Sequence, residues 1–519
     1  MSFDRSQQLQ QLDENKLWDV LVIGGGATGL GIALEATTRG YKTLLLEQAD
    51  FAKGTSSRST KLVHGGVRYL SQGDVKLVRE ATVERGLLYR NAPHLVKNQQ
   101  FIIPVYSHFD QWFYTIGLKM YDWISGRLSL GSSGSISRQE TLKRLPGIEP
   151  DKLVGGVVYH DGQFDDSRLA INLFQTIIQN GGTAINYCKV TGLIKTDGKV
   201  SGVKALEVEA GKEYLLKAKT VINATGVFVD DILKMDERGK PNTICVSQGV
   251  HVVIDKKFYT SASGLMIPKT SDGRVLFAVP WHNKVIIGTT DTPVEQPSLE
   301  PKALEKEISF ILETAGIYLQ HKPTRADVLS VYAGLRPLAA PQGESKKTKE
   351  ISRSHKIISS PSGLYTILGG KWTTYRKMGE DMIDEIEKKS GQKSTSITGT
   401  LKIYGYCQEV DFKDPFYFYG SDAFDIRTDV ALHPEGWISK KLQVHGQQVL
   451  WAVTNEMART VEDVLSRRTR ALLLDAEESI RMAPAVAAIM AEYFKYDEKW
   501  VSDQVEAYTH LAKNYLISL

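Results

Sequence analysis

An apolar strand running straight into closely spaced glycines constrains this chain more than any other feature. Trp18-Asp19-Val20-Leu21-Val22-Ile23 reads as a buried strand, and Gly24-Gly25-Gly26-Ala27-Thr28-Gly29 opens a helix behind it. Gly24 permits the tight turn, Gly26 lets a pyrophosphate approach the backbone, and Gly29 lets the helix pack on the strand. The helix N-terminus then offers free N–H groups and a partial positive charge to phosphates. Glu47 closes the next apolar run, Thr43-Leu44-Leu45-Leu46, at the place where a carboxylate takes the ribose hydroxyls of an adenosine. Glycine-rich turns alone are common. The strand, the helix and the acid in register are what predict a dinucleotide site.

At 519 residues the chain is long enough for two or three domains. A hydrophobic fraction of 42% and a charged fraction of 24% are those of a soluble globular protein. The net charge of +4 is small for this length, and no basic stripe with interleaved aromatics occurs, so nucleic acid is not an expected partner. Cys188, Cys245 and Cys407 lie far apart and form no CxxC pair, so neither a metal centre nor a redox disulfide is expected. The polar N-terminus has no signal-peptide core, and no apolar stretch approaches the roughly twenty residues that cross a bilayer. The expected location is cytoplasmic.

Along the chain, Gly54-Thr55-Ser56-Ser57-Arg58-Ser59-Thr60-Lys61 is polar and aperiodic, and reads as an extended loop crossing the cofactor. A helix is predicted over residues 74–90. Alternation predicts antiparallel strands near 187–193 and 200–209, and others at 250–254, 275–279 and 285–288. Residues 219–226 read as a buried strand ending in a second tight turn, and 364–370 as a strand entering a glycine turn before a helix over 372–389. The small polar stretch 389–396 marks a domain boundary. Beyond it the chain reads as mostly helical, including 449–474 and 477–515.

Only one fingerprint of the opening kind is present, whereas an enzyme carrying both flavin and nicotinamide on one chain would usually have two. Candidate cofactor turns near residues 24, 60, 226 and 370 are spread over the first 390 residues. That spread suits a long extended ligand such as non-covalent FAD. The expected fold class is α/β: a Rossmann-like FAD-binding domain, an antiparallel-sheet substrate domain and a helical C-terminal domain. The boundaries drawn are an N-terminal extension at 1–16, a discontinuous FAD domain at 17–95, 150–245 and 345–390, a substrate or cap domain at 96–149 and 246–344, and the helical domain at 391–519.

Five motifs then occur in order: Ser59-Thr60-Lys61-Leu62-Val63-His64-Gly65-Gly66-Val67-Arg68-Tyr69-Leu70, Val279-Pro280-Trp281, Ile287-Gly288-Thr289-Thr290-Asp291, Tyr332-Ala333-Gly334-Leu335-Arg336-Pro337-Leu338 and Gly369-Gly370-Lys371-Trp372-Thr373-Thr374-Tyr375-Arg376. Together they resemble the FAD-dependent aerobic glycerol-3-phosphate dehydrogenases, within the glycine/D-amino-acid oxidase-like flavoprotein group. The resemblance is dense over residues 17–390 and continues through Trp451-Ala452-Val453 and 459–470. It implies oxidation of sn-glycerol 3-phosphate at C2 to dihydroxyacetone phosphate, with hydride passing to flavin N5 and electrons onward to a quinone. It also implies peripheral attachment to the inner face of the cytoplasmic membrane, with a homodimer as a candidate assembly. With Gly24, Gly26, Gly29 and Glu47, the implied cofactor contacts are Ser59, Thr60, Leu62, Val190, Ala224, Gly226, Gly370, Lys371 and Thr373.

Such a reaction must fix a phosphate dianion and remove a proton from O2 as hydride leaves C2. Arginine suits the phosphate because its planar fork binds two oxygens at once. Arg336 and Arg353 are candidates, with Arg68 and Tyr69 reaching from the opposite side. For the proton, His64 comes first, since the glycines after it let a ligand approach closely. His251 is second, in an alternating strand where a core histidine is an equal reading, and His282 carries little weight. Lys371 supplies a cation either at the flavin N1–C2 edge or near N5.

His108-Phe109-Asp110-Gln111-Trp112-Phe113-Tyr114 through Ile124 is unusually aromatic. As a helix it either dips into lipid headgroups, where a quinone resides, or packs in the core or a dimer interface. Three rivals stand beside the quinone-linked dehydrogenase: a glycerol-3-phosphate oxidase using O2 and releasing H2O2, an amino-acid oxidase with one carboxylate-binding arginine, and a flavin-binding sensor. For Ser466-Arg467-Arg468-Thr469-Arg470 a structural role is favoured over a solvated face, a dimer contact or a place at the active-site mouth.

Overall fold

The computed structural model describes residues 3–12, 16–67, 74–340 and 355–517. Its first sheet is built around the strand Leu17–Ile23, which lies parallel between Lys212–Asn223 and Thr43–Leu46. Tyr365–Leu368 extends the sheet on one side and Thr183–Ile185 on the other, both in parallel register. Layers on both faces explain the unbroken apolar runs of these strands. Leu21, Val22, Leu44 and Leu45 are sealed from solvent.

The helix Ala27–Thr38 is clasped by glycines on two sides. A methyl group at Gly29 would overlap the Gly24 carbonyl oxygen. On the other side Gly31 and Gly379 face each other, and an added Cβ on either would sit 2.5 Å from backbone oxygen of the opposite helix. The helix Tyr375–Ser390 therefore lies directly on Ala27–Thr38, and the glycine turn preceding it is drawn to the fingerprint.

A second, largely antiparallel sheet of ten strands stands beside the first. Its core is the long pair Ile244–Asp255 and Val328–Ala339, continued by Lys284–Gly288 and Leu276–Trp281. The strand Gly155–Phe164, expected with the FAD domain, pairs throughout with Val96–Val105 and belongs to this second sheet. So does the short strand Leu62–Val63. The stretch 449–474, expected to be mostly helical, is so with interruptions: Gly446–Asn455, a widened helical turn at Asp463–Arg468, and Ala471–Leu474.

The widening has an electrostatic reason. The turn delivers Arg467 and Arg468 to Asp50, each with a nitrogen 2.5 Å from Asp50 Oδ2. Arg470, in left-handed conformation, reaches Asp165 at 3.0 Å. These arginines are buried, so the basic cluster is structural and bolts the C-terminal helices onto the end of the second strand of the fingerprint unit. Burial alone would raise the Asp50 carboxyl, but Arg468 and Arg467 outweigh it and hold the pKa down to about 2. Asp50→Asn strands buried arginines and should cost about 3–5 kcal/mol of unfolding free energy, read by chemical denaturation. Because the folded-state pKa is depressed, Asp50's contribution is complete above the unfolded carboxylate range near 3.8 and is lost as pH falls towards about 2. Denaturation midpoints of the wild type should fall through that window, and those of Asp50→Asn should fall less.

Candidate active site

One cavity of about 820 Å³ runs from the glycine turn of the first sheet to the floor formed by the second. At its first end Gly24 has φ of 110°, and an added Cβ would stand 2.7 Å from the Ala224 carbonyl oxygen. Gly26 lines the cavity, as do Ala224 and Gly226 on the neighbouring strand end. Gly29 lies behind the turn, where it serves helix packing rather than the cavity wall. Glu47 is fixed by backbone: its Oε2 accepts the Gly25 N–H at 2.6 Å and its Oε1 the Ala49 N–H at 2.9 Å. Burial raises its pKa, and those two hydrogen bonds oppose the rise.

The stretch from Thr55 to Lys61, expected as an extended loop, begins with a single helical turn at Thr55–Ser57 and is anchored to the cavity wall along its length. Thr55 Oγ1 donates to the Leu335 carbonyl at 2.6 Å, and the Trp372 indole N–H to the Ser56 carbonyl at 2.7 Å. Ser56 Oγ accepts the Ala27 N–H at 2.9 Å, at the start of the fingerprint helix. Lys61 is wholly buried and donates to Asp166 Oδ1 at 2.7 Å and to the Ser57 carbonyl at 2.6 Å. Ser59 Oγ donates to the same carboxylate at 2.7 Å. The aspartate thus gathers Ser59 and Lys61, and leaves Thr60 and Leu62 on the cavity wall.

The floor holds the polar groups expected to meet substrate. Arg336 lies flat over Gly249, where any Cβ would overlap its guanidinium. Its Nη2 donates to Thr289 Oγ1 at 3.1 Å, and its Nη1 stands 3.5 Å from Asp291 Oδ1. Ser247 also donates to Asp291. Beside them His251 is buried over Gly288, with its ring stacked 4.8 Å from that of Tyr332. Its Nε2 pairs with Thr60 Oγ1 at 2.9 Å. Burial first, then the charges of Arg336 and Lys61, hold the imidazole pKa well below its usual value, so the ring is neutral.

His64 and Lys371 line the same cavity, as do Val190, Gly370 and Thr373. Left-handed turns at Gly369 and Gly370, with φ of 72° and 89°, carry Lys371 there. Arg68, Tyr69 and Arg353 lie outside the described residues. His282 sits away from the cavity, 3.5 Å from Asp165 and stacked on Tyr417. Sequence reasoning missed Asp166, the partner of Lys61, because a carboxylate at a helix start carries no signal of a loop arriving from a hundred residues earlier. Asp291 and Thr289 were inside a quoted motif and their spacing was the available clue.

A glycine turn, a fixed ribose-side carboxylate and a long cavity ending at a cationic floor define an FAD-dependent oxidoreductase. Residues 19–376 match the family described as FAD dependent oxidoreductase, and residues 366–501 the C-terminal domain of alpha-glycerophosphate oxidase. The mitochondrial glycerol-3-phosphate dehydrogenase of Homo sapiens is 38% identical, over 97% of this chain and 74% of that protein. That of Schizosaccharomyces pombe is 36% identical, over 95% of this chain and 87% of its own length. The crystal structure of the Bacillus halodurans glycerol-3-phosphate dehydrogenase complexed with FAD superposes with a TM-score of 0.80 at 29% identity, covering 99% and 98% of the two chains. The chain belongs to the FAD-dependent glycerol-3-phosphate dehydrogenase family.

The residues present fit FAD: close-approach glycines at the pyrophosphate position, Glu47 at the strand end, and walls contributed by four separate turns. Replacing Glu47 by Gln should weaken FAD retention by about tenfold or more, since a charged acceptor is lost. Flavin absorbance remaining after dialysis, compared with that of the wild type, checks this.

Proposed function

We propose that this chain oxidises sn-glycerol 3-phosphate at C2 to dihydroxyacetone phosphate, passing the electrons to a membrane quinone. The observation that carries the reading is the Arg336 guanidinium spread over Gly249 beside a neutral His251 at the cavity floor. FAD, when bound, supplies the hydride acceptor.

The chain's own residues divide the remaining work. Arg336 grips the phosphate oxygens, pre-aligned by Thr289 and Asp291 so that little side-chain entropy is lost on binding. His64 takes the O2 proton. His251 is disfavoured as a base, because burial first and then Arg336 and Lys61 oppose its protonated form. It serves as a wall and hydrogen-bonding partner. Lys371, on the cavity lining, would supply positive charge to balance the negative charge that a reduced flavin carries.

Lipid contact is assigned to the helix His108–Ser125. Trp123 is 82% exposed, Phe109 69% and Trp112 61%, which is a large apolar display for a face in water. No helix among the described residues is long and apolar enough to cross a membrane. A face of this kind suits an interfacial mode of binding.

Anaerobic titration of the yellow holoenzyme with sn-glycerol 3-phosphate should bleach the flavin stoichiometrically. Arg336→Leu should raise the half-saturating substrate concentration by about 10- to 100-fold, the worth of a charge-assisted contact. A variant that binds substrate normally would remove Arg336 from the phosphate site. Trp112→Ser with Trp123→Ser should release the protein from phospholipid vesicles while soluble-dye activity persists. Peroxide formed stoichiometrically with product in detergent would instead make O2 the acceptor.

A further inference from the structure

The turn that carries His64 is held from behind by three buried polar side chains. Gly65 donates its backbone N–H to the Tyr121 hydroxyl oxygen at 2.9 Å and to Asp161 Oδ1 at 3.3 Å. Tyr121 donates its own O–H to Asp161 Oδ2 at 3.1 Å. Arg85 Nη1 donates to both partners, 2.9 Å from the phenol oxygen and 2.8 Å from Asp161 Oδ1. A phenol has one proton to give and two lone pairs to receive with, and here all three are used. Burial first, then Asp161, push the Tyr121 pKa well above its usual value, so the hydroxyl keeps its proton and its orientation.

Packing alone does not account for these groups. All three side chains are almost fully enclosed, and an enclosed arginine–aspartate pair is a weak route to stability because desolvation offsets the attraction. An apolar trio would fill the space equally well, but it would leave the Gly65 N–H buried without an acceptor. The glycine itself is required here for a reason the sequence did not reveal: a Cβ would overlap the Tyr121 hydroxyl and the Thr82 methyl group. Gly66 follows at φ of 75°, and His64, Gly66, Val67 and Asp161 all line the cavity.

We propose that Tyr121, Asp161 and Arg85 are positioning residues that fix the Gly65 N–H and thereby hold His64 at the cavity wall. The inference rests on the role of His64 in the proposed reaction. The three side chains come from the helix His108–Ser125, the strand Gly155–Phe164 and the helix Val75–Asn91. The turn is thus tied to three regular elements at one point.

The test uses the holoenzyme carrying Tyr121→Phe, which keeps the ring and removes the hydroxyl. Ser125→Ala is the control, since its buried hydroxyl donates to the Tyr121 carbonyl at 2.8 Å without touching the turn. Amide hydrogen exchange over residues 62–67 should be about tenfold faster in Tyr121→Phe and unchanged in Ser125→Ala, a readout that needs no substrate. The limiting rate of flavin reduction by sn-glycerol 3-phosphate should fall about 10- to 100-fold, as expected for a misplaced catalytic group, with the half-saturating concentration nearly unchanged. His64→Ala combined with Tyr121→Phe should be no slower than His64→Ala alone. Arg85→Lys carries the same comparisons if Tyr121→Phe does not fold. Unaltered exchange at 62–67, additive rate losses, or a His64→Ala enzyme at the wild-type rate would each overturn the proposal. Failure of the substrate assignment looks different: the wild-type flavin stays oxidised with sn-glycerol 3-phosphate while the exchange difference persists.

Discussion

The cavity depends on how closely backbone can approach backbone around the helix Ala27–Thr38. On one side Gly29 lets this helix touch the turn at Gly24, and on the other Gly31 meets Gly379. These contacts set the position of two loops at once, the fingerprint turn and the Gly369–Gly370 turn that leads into Tyr375–Ser390. A single methyl group at either contact would push one wall of the cavity outward. Dispersion contacts fall off steeply with separation, so such a gap would loosen the packing as well as the site. The geometry of the cofactor end is therefore a packing property, set before any polar contact is made.

The substrate end is built differently, from charges taken out of water. Lys61 with Asp166 and Arg336 with Asp291 join segments far apart in sequence there, as Arg467 and Arg468 with Asp50 do beside the fingerprint unit. Buried pairs of this kind add little net stability, since desolvation consumes much of the attraction. What they do add is direction. A lysine wedged against one carboxylate has few alternative rotamers, and the loop carrying it inherits that constraint. A polar stretch with only one short helical turn of its own, such as Thr55 to Lys61, holds a fixed course along the cavity when anchored in this way.

The sequence made much of this legible, and the exceptions have physical causes. The fingerprint could be read because turn, helix start and acid follow one another locally, and their spacing carries the geometry. The cavity walls at Gly226 and Gly370 could be read because each is a strand end running into a turn, and that at Thr60 because its polar, aperiodic stretch marks a loop. The strand Gly155–Phe164 was placed with the wrong sheet because strand propensity says nothing about which neighbour a strand pairs with, and its partner lies sixty residues away. The widening of the helix at Asp463–Arg468 was not legible locally, because Asp50, which its arginines meet, lies at the other end of the chain. Gly65 looked like an opening for a ligand, whereas the space is taken by Tyr121 and Thr82.

The two histidines of the cavity show why burial matters more than identity. Both have the same intrinsic chemistry, yet His251 stands on the sheet floor between Arg336 and Tyr332, with Lys61 beneath. Its protonated form would place a third positive charge in that enclosure, where Asp166 is committed to Lys61 and Asp291 stands against Arg336. A proton arriving on His251 would therefore cost more than one arriving on a histidine outside that cluster. His64 enters from a turn on the other wall, held through the backbone of its neighbour. In the proposed reaction the two tasks fall to different residues, the anion to Arg336 and the proton to His64, which avoids the conflict of one group having to attract an anion and accept a proton together.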